Sequence, residues 1–364
     1  MPPIARLMTV AVVAAIACAP VPETTGFVYR LGVDTTAAAS ITRTGNAFGG
    51  VHIDRVPVTT ITRWEATLRS DSVVEHLERT LTRGDTIVER VVVNQVGDSM
   101  ITERIRGDSV VAWRVVAPGG AMPRHASSNP SLVELATRRA VAAGLDRLPI
   151  PAVGAGDSAV TVDTLVRVAA DSFTWGATSL RVDSVGRILR MGANAERADS
   201  LDIDALATSF RARPLGALSP RDSVVATIDG ANVRVQYGRP WRRGRAIFGA
   251  LVPWNQVWRT GAGDATFLTT DRDLLIGRTP VPAGTYAVFT LPSEAGWKLI
   301  LSKNIGDDAA VYSPAQDFAR IEITADSLAA PAEQFTIAIE PGGTGGALSL
   351  SWDRLVVRAP VRRR

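Results

Sequence analysis

The chain is predicted to be mostly β and to fold as two domains. Three observations predict this: apolar and polar residues alternate with period two over most of the length, turn dipeptides separate the alternating runs at near-regular spacing, and long helical patterns are scarce in a Val- and Thr-rich sequence. At 364 residues there is room for two domains of ordinary size. The apolar content of 46% marks a globular chain able to bury a core. The expected architecture is an N-terminal curved antiparallel sheet with one or two helices, followed by a C-terminal β-sandwich or jelly-roll-like domain.

The N-terminus has export chemistry. Arg6 is a short basic region, and Leu7 to Ala17 is an apolar run of signal-peptide length. It is too short to span a bilayer. The run ends in Ala15-Ile16-Ala17-Cys18, and Cys18 is the single cysteine of the chain. This resembles a bacterial lipobox, with Ala at the first position where Leu is more usual. The resemblance implies a signal peptide over 1–17, lipid attachment at Cys18 and a tether over 18–26. Several acyl chains would hold the protein durably at a membrane. Ala19, rather than Asp, after the cysteine would permit outer-membrane sorting, and the expected address is the cell envelope, at the outer membrane facing the periplasm. The alternative is plain secretion, with cleavage after Ala17. A lipidated Cys18 leaves the fold without a disulfide, a thiolate nucleophile or a cysteine-ligated zinc.

Residues 27–213 form the first expected domain. Trp64, Ala66 and Leu68 alternate with Arg63, Glu65, Thr67 and Arg69, and Val160, Val162, Thr164, Val166 and Val168 alternate with Thr161, Asp163 and Arg167. Such runs are half-buried antiparallel strands. Asp71-Ser72, Gly84-Asp85, Gly97-Asp98 and Gly107-Asp108 read as the turns of a hairpin meander. One helix is predicted over 130–143, with Asn129 as N-cap, Pro130 in the first position and Gly144 past the end. Leu132, Ala136, Ala140 and Ala143 share its apolar face, and Arg138 and Arg139 point elsewhere. A second, shorter helix is expected over 202–210.

Residues 214–221 read as a linker, and 222–361 as the β-sandwich. Asp229-Gly230 between two alternating runs is a strong hairpin signal. Further strands are expected near 256–260, 265–270, 284–291, 297–303, 319–324, 334–340 and 347–357.

Several functions are excluded. The net charge of +4 is small, and Arg362, Arg363 and Arg364 supply most of it, so no basic face for nucleic acid is present. The three histidines, His52, His76 and His125, all lie in the first domain and show no ligand spacing, so no metal site and no cofactor are expected. A C-terminal half without histidine has no Ser-His-Asp triad and no histidine base. The Arg-Gly-Asp triplets at 83–85 and 106–108 fall at hairpin turns, where Gly-Asp serves the backbone.

The densest block runs from 237 to 291. It contains Tyr237-Gly238-Arg239-Pro240, Arg243-Gly244, Ile247-Phe248-Gly249, Val257-Trp258-Arg259-Thr260-Gly261-Ala262 and Pro282 to Tyr286. In content and order this resembles the bacterial family called domain of unknown function 2911, over about 222–358. The family has Asn-Glu where this chain has Gly263-Asp264, and residues 304–318 depart from its pattern. The family carries no assigned activity. Arginine binds carboxylate or phosphate through paired hydrogen bonds and stacks on tryptophan. Arg239, Arg243, Arg245, Trp258, Arg259, Asp264 and Tyr286 are therefore candidates for holding an anionic or sugar-like ligand. A structural network accounts for the same residues, with Arg259 paired to Asp264 or to turn carbonyls. The functional expectation is an envelope lipoprotein that binds a ligand or acts as a scaffold. The alternative is a histidine-independent hydrolase of envelope material using carboxylates such as Asp264.

Overall fold

The computed structural model describes residues 20–69, 73–123, 130–154, 157, 159–198 and 200–364. The expected signal segment, Cys18, the expected 71–72 turn, Asn129 and His125 lie outside the described residues. Contacts group the chain into two compact units. The first holds the chain up to Phe27, Ala39–His52 and Ile61–Ile203. The second holds Val28–Ala38, Ile53–Thr60 and Asp204–Arg364.

The first fifteen strands are β1 (Glu23–Leu31), β2 (Asp34–Thr44), β3 (Ala47–Asp54), β4 (Thr60–Leu68), β5 (Val74–Arg83), β6 (Thr86–Val96), β7 (Ser99–Arg106), β8 (Ser109–Val116), β9 (Met122–Pro123), β10 (Arg147–Val153), β11 (Thr161–Ala169), β12 (Ser172–Trp175), β13 (Thr178–Val182), β14 (Ile188–Met191) and β15 (Ala195–Ala198). They form one sheet in the order β8 to β1, then β15 to β9, so β1 and β15 pair at its middle. The predicted Gly-Asp dipeptides are the turns. Arg83 pairs with Thr86, Val96 with Ser99 and Arg106 with Ser109, leaving two-residue loops. Gly84, Gly97 and Gly107 each take positive φ at the first loop position, which suits a type II′ turn. The Arg-Gly-Asp triplets are thus hairpin tips.

Trp64, Ala66 and Leu68 of β4 are buried as expected. On β11 the expectation is reversed. Val162 and Val168 are both 60% exposed, and Leu165, from the opposite face, is fully buried. An alternating pattern fixes which residues share a face but not which face meets the core. Here Phe173 on β12 takes Arg167 over its ring at 4.4 Å, so the polar face of β11 is itself covered.

Helix α1 (Pro130–Ala142) ends one residue before the predicted limit. The Leu145 N–H donates to the Ala140 carbonyl at 2.8 Å, which closes the helix past Gly144. Leu132, Ala136 and Ala140 are buried, together with Val133 and Thr137, whereas Ala143 is exposed. Glu134 is also buried, which periodicity does not anticipate. Its carboxylate accepts from Arg197 Nη1 (2.8 Å), the Ile188 N–H (2.9 Å) and Arg138 Nη2 (2.7 Å). Arg138 also reaches Glu23 on β1 at 2.7 Å. The buried carboxylate therefore pins the helix to β14 and β15, with its charge matched and its oxygens hydrogen-bonded, and Arg138 ties the same helix to β1 in the other half of the sheet. Helix α2 spans Ile203–Ala212, slightly beyond the expected 202–210, and buries Ala207 and Phe210. Residues 213–220 carry neither helix nor strand.

The second unit contains β16 (Arg221–Ile228), β17 (Ala231–Gly238), β18 (Phe267–Thr270), β19 (Leu274–Ile276), β20 (Thr279–Val281), β21 (Gly284–Leu291), β22 (Trp297–Ser302), β23 (Asp317–Gly342) and β24 (Gly345–Arg363). Their order is β16-β17-β18-β21-β22-β23-β24-β19-β20. The β16–β17 hairpin turns on Asp229 and Gly230, both at positive φ (48° and 78°), as a type I′ turn requires. The segments 319–324 and 334–340, expected as two strands, belong to the single strand β23. It pairs with β22 through Ile323 and with β24 from Thr324 onward, with register shifts after Ser327 and Ala332. The hand-over falls between Ile323 and Thr324, the shifts lie within the β24 ladder, and β16 comes into contact with β23 and β24. The core between them includes Val233, Val235, Leu268, Leu299, Leu301 and Ile337. A smaller cluster, Ala287, Phe289 and Ile300 with Ala265 and Ala309, covers the other face of β21 and β22.

The expected strand at 256–260 is absent. Trp258 makes one isolated bridge to Thr290, and the chain then leaves extended geometry at Thr260 (φ 53°) and Gly261 (φ 143°).

Candidate functional site in the arginine–tryptophan block

Strand β17 delivers Tyr237 into the core and Gly238 to its end. Tyr237 is 1% exposed, yet its hydroxyl is fully used. It accepts from the Ile337 N–H at 3.0 Å and donates to the Ile337 carbonyl at 3.2 Å, joining β17 to β23. Burial raises the phenol's pKa above its ordinary value. The next residues continue this join. The Phe335 N–H donates to the Pro240 carbonyl (2.9 Å), and the Arg242 N–H to the Glu333 carbonyl (2.7 Å).

The arginines of the block are bound to the protein itself. Arg239 reaches Asp222 (2.8 Å), Thr336 Oγ1 (2.9 Å) and the Phe335 carbonyl (3.2 Å). Arg242 pairs with Asp353 at 2.9 Å. Arg243 pairs with Asp34 at 2.6 Å, in the 28–38 segment that groups with this unit, and its guanidinium lies 5.9 Å over the Trp241 ring. Arg245 donates from Nε to the Arg242 carbonyl at 3.0 Å and from Nη2 to the Trp241 carbonyl. Burial first, and then the charge of Arg243, lower the Arg245 pKa from its ordinary value. Four arginines thus meet carboxylates or backbone oxygens, the partners their fork geometry suits.

The aromatic residues pack on one another. Trp258 stacks on Trp352 (5.8 Å, 20°) and meets Phe335 edge-on at 5.0 Å. Phe248 stacks on Trp254 at 5.9 Å and meets Trp297 edge-on at 5.2 Å. These offset and edge geometries are the ones aromatic quadrupoles favour inside a core. Tyr286 is buried as well. Its hydroxyl donates to the Pro282 carbonyl at 3.0 Å, and its pKa is raised by burial and then by Asp273.

Glycine explains why two of the sequence blocks occur together. A Cβ on Gly238 would lie 1.9 Å from the Ala262 carbonyl oxygen, and one on Gly261 would lie 2.9 Å from the Gly238 oxygen. Tyr-Gly-Arg-Pro and Thr-Gly-Ala therefore press backbone against backbone, which only glycine allows. Between them Thr260 is fully buried at positive φ, an uncommon conformation for a β-branched residue. Its carbonyl accepts from Thr266 Oγ1 at 2.7 Å, and its hydroxyl donates to Thr290 Oγ1 at 3.2 Å.

Arg259 and Asp264 differ from the rest. Both are exposed, and no ion pair joins them. The Arg259–Asp264 pair, one of the two forms the structural network could take, is therefore absent. Of the seven candidate residues, the fold uses Arg239, Arg243, Arg245, Trp258 and Tyr286 internally and leaves Arg259 and Asp264 to solvent. The partners Asp34, Asp222, Thr336 and Asp353 escaped sequence reasoning. Asp34, Thr336 and Asp353 lie far from the block in sequence, and Asp222 faces Tyr237 across the β16–β17 hairpin. Among the described residues no group of three or more His, Cys, Asp or Glu side chains is placed to hold a metal.

Fold and site together define a mostly β protein whose C-terminal sandwich uses an arginine–tryptophan block as internal bracing. Residues 219–361 match the family described as Protein of unknown function (DUF2911), which confirms the resemblance read from the motifs. No curated protein and no solved structure matches the chain.

Proposed function

We propose that the protein is an exported, lipid-anchored component of the bacterial envelope, and that its C-terminal domain is a non-catalytic binding or scaffold module. The observation that carries this reading is that Arg239, Arg242, Arg243 and Arg245 are each engaged by carboxylates or carbonyls of their own fold. Groups spent on internal bonds are unavailable to a substrate. The part of the block left free is the exposed turn bearing Arg259 and Asp264, which suits contact with a charged surface or small anion. The anchor rests on the sequence before Pro20: a basic residue, an apolar run and Cys18. Among the described residues no helix is long and apolar enough to cross a membrane.

Two measurements test the proposal. Cells fed labelled fatty acid should label the wild type, and Cys18→Ser should lose the label and move to a soluble fraction. An unlabelled wild type whose Cys18→Ser variant stays with the membrane would overturn the anchor. For the module, the full chain should release no product from envelope polysaccharide. Hydrolysis that Asp264→Asn abolishes would install the hydrolase instead.

A further inference from the structure

The first unit contains a cavity of about 310 Å³ between helix α1 and the end of the sheet. Its interior is apolar: Ala136, Leu148 and Ile150 are buried, with Met122 and Leu135 half-buried beside them. Among the described residues no acidic side chain lines it. Arg139 does line it, and is exposed, so it stands at the mouth. Its neighbour Arg138 is committed to Glu134 and Glu23, whereas Arg139 has no ion pair among the described residues. The volume falls at the small end of ligand sites, which run from roughly 300 to 1,000 Å³. A predominantly apolar interior disfavours sugars and nucleotides, most of whose polar groups would be buried unpaired. A free guanidinium at the entrance selects an anion.

We infer that this cavity binds one acyl chain carrying an anionic head, with the chain against Leu148 and Ile150 and the head on Arg139. A free fatty acid and a single-chain phosphate lipid share this chemistry. The inference is independent of the lipid anchor and of the C-terminal block.

The test titrates the purified full chain, without detergent, with saturated fatty acids of increasing length below their micelle concentrations. Matched primary alcohols and a lysophospholipid form the other arms. Each added methylene should tighten binding about fourfold until the cavity is full. Arg139→Glu should weaken the acids about tenfold or more and leave the alcohols unchanged. Ala136→Trp should block acids and alcohols alike, and Ala136→Leu, a smaller plug, serves if the Trp variant fails to fold. The tighter of fatty acid and lysophospholipid identifies the source of the head. Affinity that does not change with chain length, or an Arg139→Glu effect equal for acid and alcohol, would overturn the inference. So would undiminished binding in a folded Ala136 variant.

Discussion

Removing the Tyr237 hydroxyl is a clean perturbation, because Tyr237→Phe leaves the ring in place against Phe335, 5.7 Å away and edge-on. What disappears is the pair of hydrogen bonds to the Ile337 N–H (3.0 Å) and carbonyl (3.2 Å). Both backbone groups sit where the tyrosine is 1% exposed, so water does not readily replace the hydroxyl. An orphaned buried polar group costs about 1–3 kcal/mol, so two partly relaxed ones cost about 2–4 kcal/mol. Urea unfolding followed by tryptophan fluorescence reads this directly, since Trp258, Trp297 and Trp352 belong to or pack against the same core. The midpoint should fall with the slope unchanged. The pH dependence gives a second check. Burial raises the phenol's pKa, so its contribution is complete below its unfolded value near 10 and is lost as pH rises through the folded value. Phe cannot ionise, so the gap between wild type and variant should narrow in alkali. A loss below about 0.5 kcal/mol, the range of an inconsequential surface change, would refute the cross-strand role.

Other outcomes follow from the same contacts. Glu134→Ala strips the carboxylate from Arg197 and the Ile188 N–H, and thermal or urea melts should show a loss of about 3–5 kcal/mol, as for breaking a buried pair. Gly238→Ala must move the Ala262 carbonyl, so it should cost at least about 1–3 kcal/mol in the same melts. Arg259→Ala should stay within about 0.5 kcal/mol of wild type, because the side chain is exposed and unpaired; a larger loss would return it to the structural network. The hydrogen bond from Arg138 lowers the Glu23 pKa, so that residue's stabilisation is present above its unfolded value and is lost as pH falls through the folded one. Glu23→Gln should therefore flatten the acid limb of stability against pH.

Local chemistry was legible. The Gly-Asp turns, the Asp229-Gly230 hairpin and helix α1 each follow from residues within a few positions of one another, where sequence speaks directly about backbone conformation. The failures have a common cause in distance. Val162 and Val168 alternate correctly, but the buried face of β11 was decided by strands elsewhere. The break at Thr260 was hidden because a β-branched residue reads as strand, and its left-handed conformation is held by Thr266 and Thr290. Strand β23 was read as two because Asp326 to Glu333 interrupts the alternation with polar and small residues, although the chain there only shifts register. At the site, composition identified arginine and tryptophan as the notable residues. It gave no access to Asp34, Asp222 or Phe335, whose positions decide whether an arginine faces a ligand or a strand.

The pairing of β1 with β15 has a kinetic consequence. Strands β2 to β8 are joined by short connections between neighbours, as are β10 to β15, so each run can zip up by local hairpin formation on the microsecond scale. The central seam is different. Glu23–Leu31 must find Ala195–Ala198 after nearly the whole unit has been made, and closing that loop loses chain entropy before any contact repays it. The Arg197–Thr25 contact spans the same interval of chain and forms only once the seam has closed. Until then two half-sheets exist with open inner edges, each a template for pairing with another chain. The slowest step of folding and the greatest exposure to aggregation therefore coincide at the first strand after Cys18, which during synthesis waits for its partner longer than any other strand of the sheet.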